Sequence, residues 1–147
     1  MSDLRELYQQ VILDHNRQPR NFRVIDPVSN KADGHNPLCG DKVTVFVEVE
    51  GDVIKDVAFQ GRGCAISTAS ASLMTDIVKG KTLAEAQHIF ESFHDVVTDK
   101  SASLSDLGKL AVLAGVRDYP SRVKCATLAW HTMHAALTDN AETVVTE

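Results

Sequence analysis

The chain predicts an α+β fold, a small antiparallel β-sheet with helices packed on one face. Three observations carry that expectation. Val43, Val45, Val47 and Val49 alternate with Thr44, Phe46 and Glu48, a period of two that marks a strand. Val53, Val57 and Phe59 continue after Gly51-Asp52, a pair suited to a two-residue hairpin turn, with Lys55 breaking the apolar face. On either side of this hairpin, apolar residues recur at helical spacing.

The elements follow in order. Leu4, Leu7, Tyr8, Val11 and Ile12 predict a helix over 3–15, with Asp3 as cap and Glu6 reaching back to it. Residues 16–38 are polar and carry Pro19, Pro27, Gly34 and Pro37, which predicts a long loop of the kind that serves function. Carrying the hairpin register outward from Glu50 opposite Val53 sets Cys39 opposite Cys64, beyond the expected ends of the ladder. A turn one residue longer shifts that register by one. Asp41 lies two residues from Cys39 and points to the same side of an extended chain.

After Gly61-Arg62-Gly63-Cys64, the stretch 66–79 is rich in Ala, Ser and Thr. It predicts a helix with a small-residue face for close packing, stopped by Gly80. Thr82-Leu83-Ala84-Glu85 is a capping box. The helix it opens carries Leu83, Ala86, Phe90, Phe93 and Val97 on one face. Ser103 and Asp106 start a further helix bearing Leu104, Leu107, Leu110, Ala111 and Ala114, ended by Gly115. Tyr119-Pro120-Ser121 breaks the chain. A last helix over 122–137 shows Val123, Ala126, Trp130, Met133 and Leu137 as its apolar stripe, and the polar tail from Thr138 reads as frayed.

Composition bounds the function. One continuous pattern over 147 residues, 44% of them apolar, is expected to form a single domain spanning 1–147. A formal net charge of −5 argues against a general nucleic-acid binder. No apolar run is long enough for a membrane span, and the opening residues lack a basic and apolar leader. Three cysteines without an export signal argue against a disulfide framework and for a reducing cytoplasm, where thiols stay available.

The cysteines are Cys39, Cys64 and Cys125. Cys64 and Cys125 are each expected near the first turn of a helix, where partial positive charge favours a thiolate. Together with Asp41, three thiolates match a four-coordinate zinc site in number and type, Asp41 being the harder and more exchangeable ligand. An iron–sulfur cluster is the alternative occupant, for which Asp41 is an unusual ligand. Spacing alone leaves a further reading open, in which the cysteines are small buried hydrophobes. His131 and His134 share a helix face, read as solvated. His35, four residues before Cys39, is within reach of a shared centre, but a polar loop histidine is the usual case. A Cys–His hydrolase has six histidines to draw on (His15, His35, His88, His94, His131 and His134), but no local signature selects one. Arg62, Arg122 and Lys124 sit beside cysteines, suited either to steering an anionic persulfide or to balancing surface charge.

With these residues on the page, the chain resembles the IscU/SufU family of iron–sulfur assembly proteins, most closely its SufU branch. The resemblance runs through Leu7-Tyr8 to Asp14-His15, Asn36-Pro37-Leu38-Cys39-Gly40-Asp41, the stretch from Phe59 to Ser70 around Gly61-Arg62-Gly63-Cys64, and Arg122-Val123-Lys124-Cys125 through Trp130. It implies a SufE/NifU-like fold, with Cys39, Asp41, Cys64 and Cys125 as metal ligands. It also implies iron–sulfur cluster biogenesis, with Zn²⁺ at the centre of a sulfur acceptor or, alternatively, a [2Fe–2S] cluster on a scaffold; a structural zinc module that only binds or regulates a partner is the remaining alternative. The implied partners are a SufS-type cysteine desulfurase and downstream assembly or apo-acceptor proteins. Lys124 departs from the histidine that precedes the third cysteine in the IscU branch, and 91–119 resembles the extra stretch of SufU members. Cys39 is the expected sulfur acceptor, because a Pro- and Gly-containing loop lets it move while the other two cysteines are anchored near helices.

Overall fold

The structure, a computed structural model, describes residues 2–25, 30–37, 40–98, 110, 112, 113, 116, 119–138 and 144–145. Among them the order is α1 (Ser2–Arg17), β1 (Asn30–Asn36), β2 (Asp41–Glu50), β3 (Val53–Arg62), α2 (Ala65–Val78), α3 (Leu83–Thr98), α4 (Pro120–Leu137) and β4 (Val144–Val145). The sheet order is β3-β2-β1-β4, with β1, β2 and β3 antiparallel and β4 parallel to β1. The α+β expectation holds, with the main helical contacts on the face that carries Val43, Val45, Val47, Val57 and Phe59.

The hairpin forms where the alternation predicted it, with one difference. Val49 faces Ile54, but Glu48 faces Asp56, so Lys55 is an extra, exposed residue in β3. This bulge inverts the pleat. Ile54 is therefore buried and Val53 exposed, whereas Val53 was expected on the inner face. It also moves the register by one, so that Lys42 faces Arg62 at the far end of the ladder.

The predicted loop 16–38 contains a strand. In β1 the inward positions are Ala32, Gly34 and Asn36, which give no apolar alternation to read. Their small size has a cause in packing. A Cβ at Gly34 would lie 2.0 Å from Thr132 Oγ1 and 3.1 Å from Leu128 Cδ1, both on α4. Pairing with β2 along its whole length forms the strand, and the close approach of α4 is what requires glycine at 34. Pairing of Gly34 and His35 with Val144 and Val145 likewise gives the tail, expected to fray, a short ordered contact at the sheet edge.

The helices follow their sequence signals. Thr82 and Glu85 exchange the two capping-box bonds, each at 3.1 Å. Gly80 takes φ +85° just past the end of α2, where L side chains are strained. Helix α1 is fixed to α2 through buried His15, whose Nδ1 meets Ser72 Oγ at 2.7 Å, while the Arg20 amide donates to the same oxygen at 2.8 Å. Most of the helix expected over 103–115 lies outside the described residues, although Leu110 is buried in the core. No helix among the described residues is long and apolar enough to cross a membrane.

Helix α4 is the centre of the core rather than a surface helix with one apolar stripe. Residues 125–130 are all buried, and Trp130 stacks on Phe93 with ring centroids 4.9 Å apart. The face of His131 and His134, expected to be solvated, is half-buried. Phe90 of α3 sits against both, 5.2 and 5.7 Å between centroids, and His94 joins them 5.8 Å from His131. Burial first, then the neighbouring His94 and His134, lowers the pKa of His131 below the ordinary histidine value. The folded state therefore resists protonation that the unfolded chain accepts. The associated stability is complete above the unfolded histidine pKa near 6.5 and is lost as pH falls through the lower folded value.

Two outcomes follow. The melting temperature should fall as pH is lowered from 7.5 to 5.5, and His131→Phe, which keeps an aromatic ring beside Phe90, should flatten that dependence in a thermal scan. Gly34→Ala should lower stability by about 1–3 kcal/mol in denaturant titration, through the clash with Thr132; an unchanged midpoint would mean that α4 does not press on β1 as described.

Candidate metal centre

At the end of the sheet, β2 begins with Asp41 directly opposite Asn36 of β1. The alternation that buries Val43, Val45 and Val47 points Asp41 to the same, helix-covered face. Asp41 has no solvent exposure, and a buried carboxylate requires hydrogen-bond donors or a cation. One donor comes from the chain entering α2. The Cys64 amide donates to Asp41 Oδ1 at 2.8 Å. Gly63 allows that approach, since a Cβ there would lie 2.3 Å from the same oxygen. A glycine is thus required here by contact rather than by turn geometry.

Cys64 is the N-cap of α2. Its backbone is extended, its carbonyl accepts from the Thr68 amide, and its Sγ accepts from the Ser67 amide at 3.4 Å. The second carboxylate oxygen, Asp41 Oδ2, lies 3.8 Å from Cys64 Sγ. Cys125 completes the group from α4. Ligand atoms of Asp41, Cys64 and Cys125 all lie within 4.8 Å of one another, the one such trio of His, Cys, Asp or Glu among the described residues. Asp41 and Cys125 are buried, whereas Cys64 is exposed, so the centre opens to solvent on the Cys64 side.

The donor set fits zinc. Zinc–sulfur and zinc–oxygen bonds of about 2.3 and 2.1 Å at a tetrahedral angle separate the two donors by about 3.6 Å. The Asp41–Cys64 separation is within a few tenths of that. Oδ1 is engaged by the Cys64 amide, which leaves Oδ2 as the oxygen for a metal.

Three of the four expected ligands are thus brought together. Cys39, the fourth, lies outside the described residues. Cys125 differs from expectation in one respect. Pro120, well placed at the first helical position, starts α4 two residues earlier than predicted, so Cys125 occupies the second turn, past the amides that lack helical partners. Its setting is burial against α2 rather than a helix end. His35 does not enter the centre, because it alternates with Asn36 and faces the other side of the sheet with Lys42. Arg62 pairs with Lys42 on that same outer face, and Arg122 lies 5.9 Å over the ring of Tyr119. His94, His131 and His134 gather around Phe90, not around a common point. Ser67, whose amide donates to the Cys64 sulfur, was not singled out by sequence. Its position three residues after an N-cap is the signal that would have found it.

Comparison with known proteins places this arrangement. The profile described as the NifU-like N-terminal domain matches residues 7–126. The chain is 43% identical over 130 residues to the zinc-dependent sulfurtransferase SufU of Bacillus subtilis, covering 88% of each. It is 39% identical over 142 residues to the iron–sulfur cluster assembly scaffold protein IscU of Streptococcus pyogenes, covering 96% of this chain and 89% of that one. The crystal structure of a putative iron–sulfur cluster assembly scaffold protein for the SUF system from Fervidobacterium islandicum superposes with a TM-score of 0.82 at 35% identity, over 86% of this chain and 93% of its own. A profile match over most of the length, these relatives and the shared α+β architecture lead to one conclusion: the chain belongs to the NifU-like N-terminal domain family, alongside SufU and IscU proteins.

Proposed function

We propose that this protein serves iron–sulfur cluster biogenesis as a zinc-dependent sulfur acceptor, taking persulfide sulfur from a SufS-type cysteine desulfurase onto Cys39. The observation that carries the reading is the convergence of Asp41 with two cysteines in a family whose relatives include a zinc-dependent sulfurtransferase. In this reading 1–147 acts as one domain, in the cytoplasm, and Cys39, Asp41, Cys64 and Cys125 hold the zinc. Bound zinc supplies the positive charge that keeps the thiols deprotonated at neutral pH.

The chain's own residues do the rest. The Cys64 amide orients the Asp41 carboxylate, and the Ser67 amide orients the Cys64 sulfur. Cys64 and Cys125 are committed to helices, which leaves Cys39, between Pro37 and Gly40, as the thiolate able to reach a partner. Cys39 sulfur attacks the terminal sulfur of the donor persulfide. A new S–S bond forms on Cys39 as the donor's S–S bond breaks, and the electron pair leaves with the donor thiolate. The exchange is redox-neutral and needs no other reactant.

A second reading, a scaffold on which a [2Fe–2S] cluster is built and passed on, is favoured by the 39% identity to the IscU of Streptococcus pyogenes. Lys124 weighs against it, since a lysine stands where the IscU branch has a histidine before its third cysteine.

Sulfur uptake from a desulfurase charged with radiolabelled cysteine tests the assignment. Cys39→Ala should lower labelling of the protein by at least about a hundredfold, the scale expected for loss of a nucleophile. Labelling at the wild-type rate would show that another sulfur is the acceptor.

A further inference from the structure

Between the two helices that carry sulfur ligands lies a buried hydroxyl with no role in the chemistry above. Ser70 of α2 has no solvent exposure. Its Oγ donates to the Ala126 carbonyl of α4 at 2.5 Å and accepts from Trp130 Nε1–H, also of α4, at 3.1 Å. Ala126 directly follows Cys125, and Ser70 lies six residues beyond Cys64, about 9 Å along the helix. The bonds therefore tie the helix capped by one candidate ligand to the turn that holds another.

Other buried residues of α2, Ala69, Leu73 and Met74 among them, are apolar, and apolar contacts are not directional, so packing alone defines the position of a helix less sharply than a hydrogen bond does. A hydroxyl that donates to one carbonyl and accepts from one indole has a single satisfactory placement. Alanine at 70 would fill nearly the same volume but leave a buried indole N–H without an acceptor. Metal centres tolerate ligand displacements of only about 0.2 Å, so a helix shift too small to disturb the core still alters the donor geometry.

We propose that Ser70 is a positioning residue for the metal centre, setting the span between the Cys64 and Cys125 sulfurs by fixing α4 against α2 at Ala126. The assignment rests on the metal-centre reading of Asp41, Cys64 and Cys125. It acts through α4, without contact to the metal.

Anaerobic titration with cobalt(II) tests it, because cobalt reports thiolate ligation and tetrahedral geometry spectroscopically, and chelator competition gives affinity. The wild-type protein should give thiolate charge-transfer and tetrahedral d–d bands. Ser70→Ala should shift or weaken the d–d bands and lower affinity at least about tenfold, as loss of an outer-shell partner does. Trp130→Phe removes the indole donor but keeps the Ser70–Ala126 bond, so it should lower the melting temperature while changing the cobalt spectrum less than Ser70→Ala does. A wild-type spectrum and affinity in Ser70→Ala would overturn the proposal. So would an equal spectral change in Trp130→Phe, which would make the effect one of general core loosening. Absence of tetrahedral thiolate bands in the wild-type protein would instead overturn the metal-centre reading on which the proposal stands.

Discussion

A carboxylate with no solvent exposure governs the arrangement around it. Asp41 is delivered to the helix-covered face by the strict alternation of β2, and it must be met by donors there. The Cys64 amide meets it, and that single bond fixes how the chain leaves β3 and enters α2. Gly63 has to be glycine because the carboxylate occupies the space of a side chain. Cys64 has to cap α2 because its amide is held at the carboxylate while its carbonyl already accepts from Thr68. The oxygen left over, Oδ2, then lies beside a thiol. The geometry of the candidate ligands thus follows from meeting one buried carboxyl group with a backbone donor.

The opposite wall of the centre comes from close helix packing. Helix α4 is buried along residues 125–130, pressed on one side against β1 at Gly34 and on the other against the Ala- and Ser-rich α2. A central helix of this kind brings Cys125 within reach of Cys64 from a remote part of the sequence. Ser70 bonds to the Ala126 carbonyl and the Trp130 indole across that contact. The same helix carries His131 into an aromatic cluster with Phe90 and His94, where burial lowers its pKa.

Much of this was legible in the residues themselves. Alternating valines, the Gly51-Asp52 turn, the Thr82–Glu85 box and Gly80 each encode local structure, and each element formed where its signal lay. The grouping of Asp41, Cys64 and Cys125 was expected from Cys-Gly-Asp before one strand, Gly-Cys after its partner and a cysteine near the start of a helix, and the structure brings the three together. What escaped was set by tertiary contact. Strand β1 carries Ala32, Gly34 and Asn36 inward against α4, which leaves no apolar alternation to read. The bulge at Lys55 was visible only as a break in the face, so Val53 and Ile54 exchanged sides. His131 and His134 read as polar because a helical wheel does not reveal that Phe90 of another helix covers them.

If Cys39 accepts sulfur at a zinc-ordered centre, as proposed, it should accelerate a desulfurase. Alanine formation by a SufS-type cysteine desulfurase supplied with cysteine, with and without the zinc-loaded protein, tests this. Strong stimulation that disappears when Cys39 is replaced by alanine is the expected result. A folded, zinc-loaded protein that leaves alanine formation unchanged would contradict it.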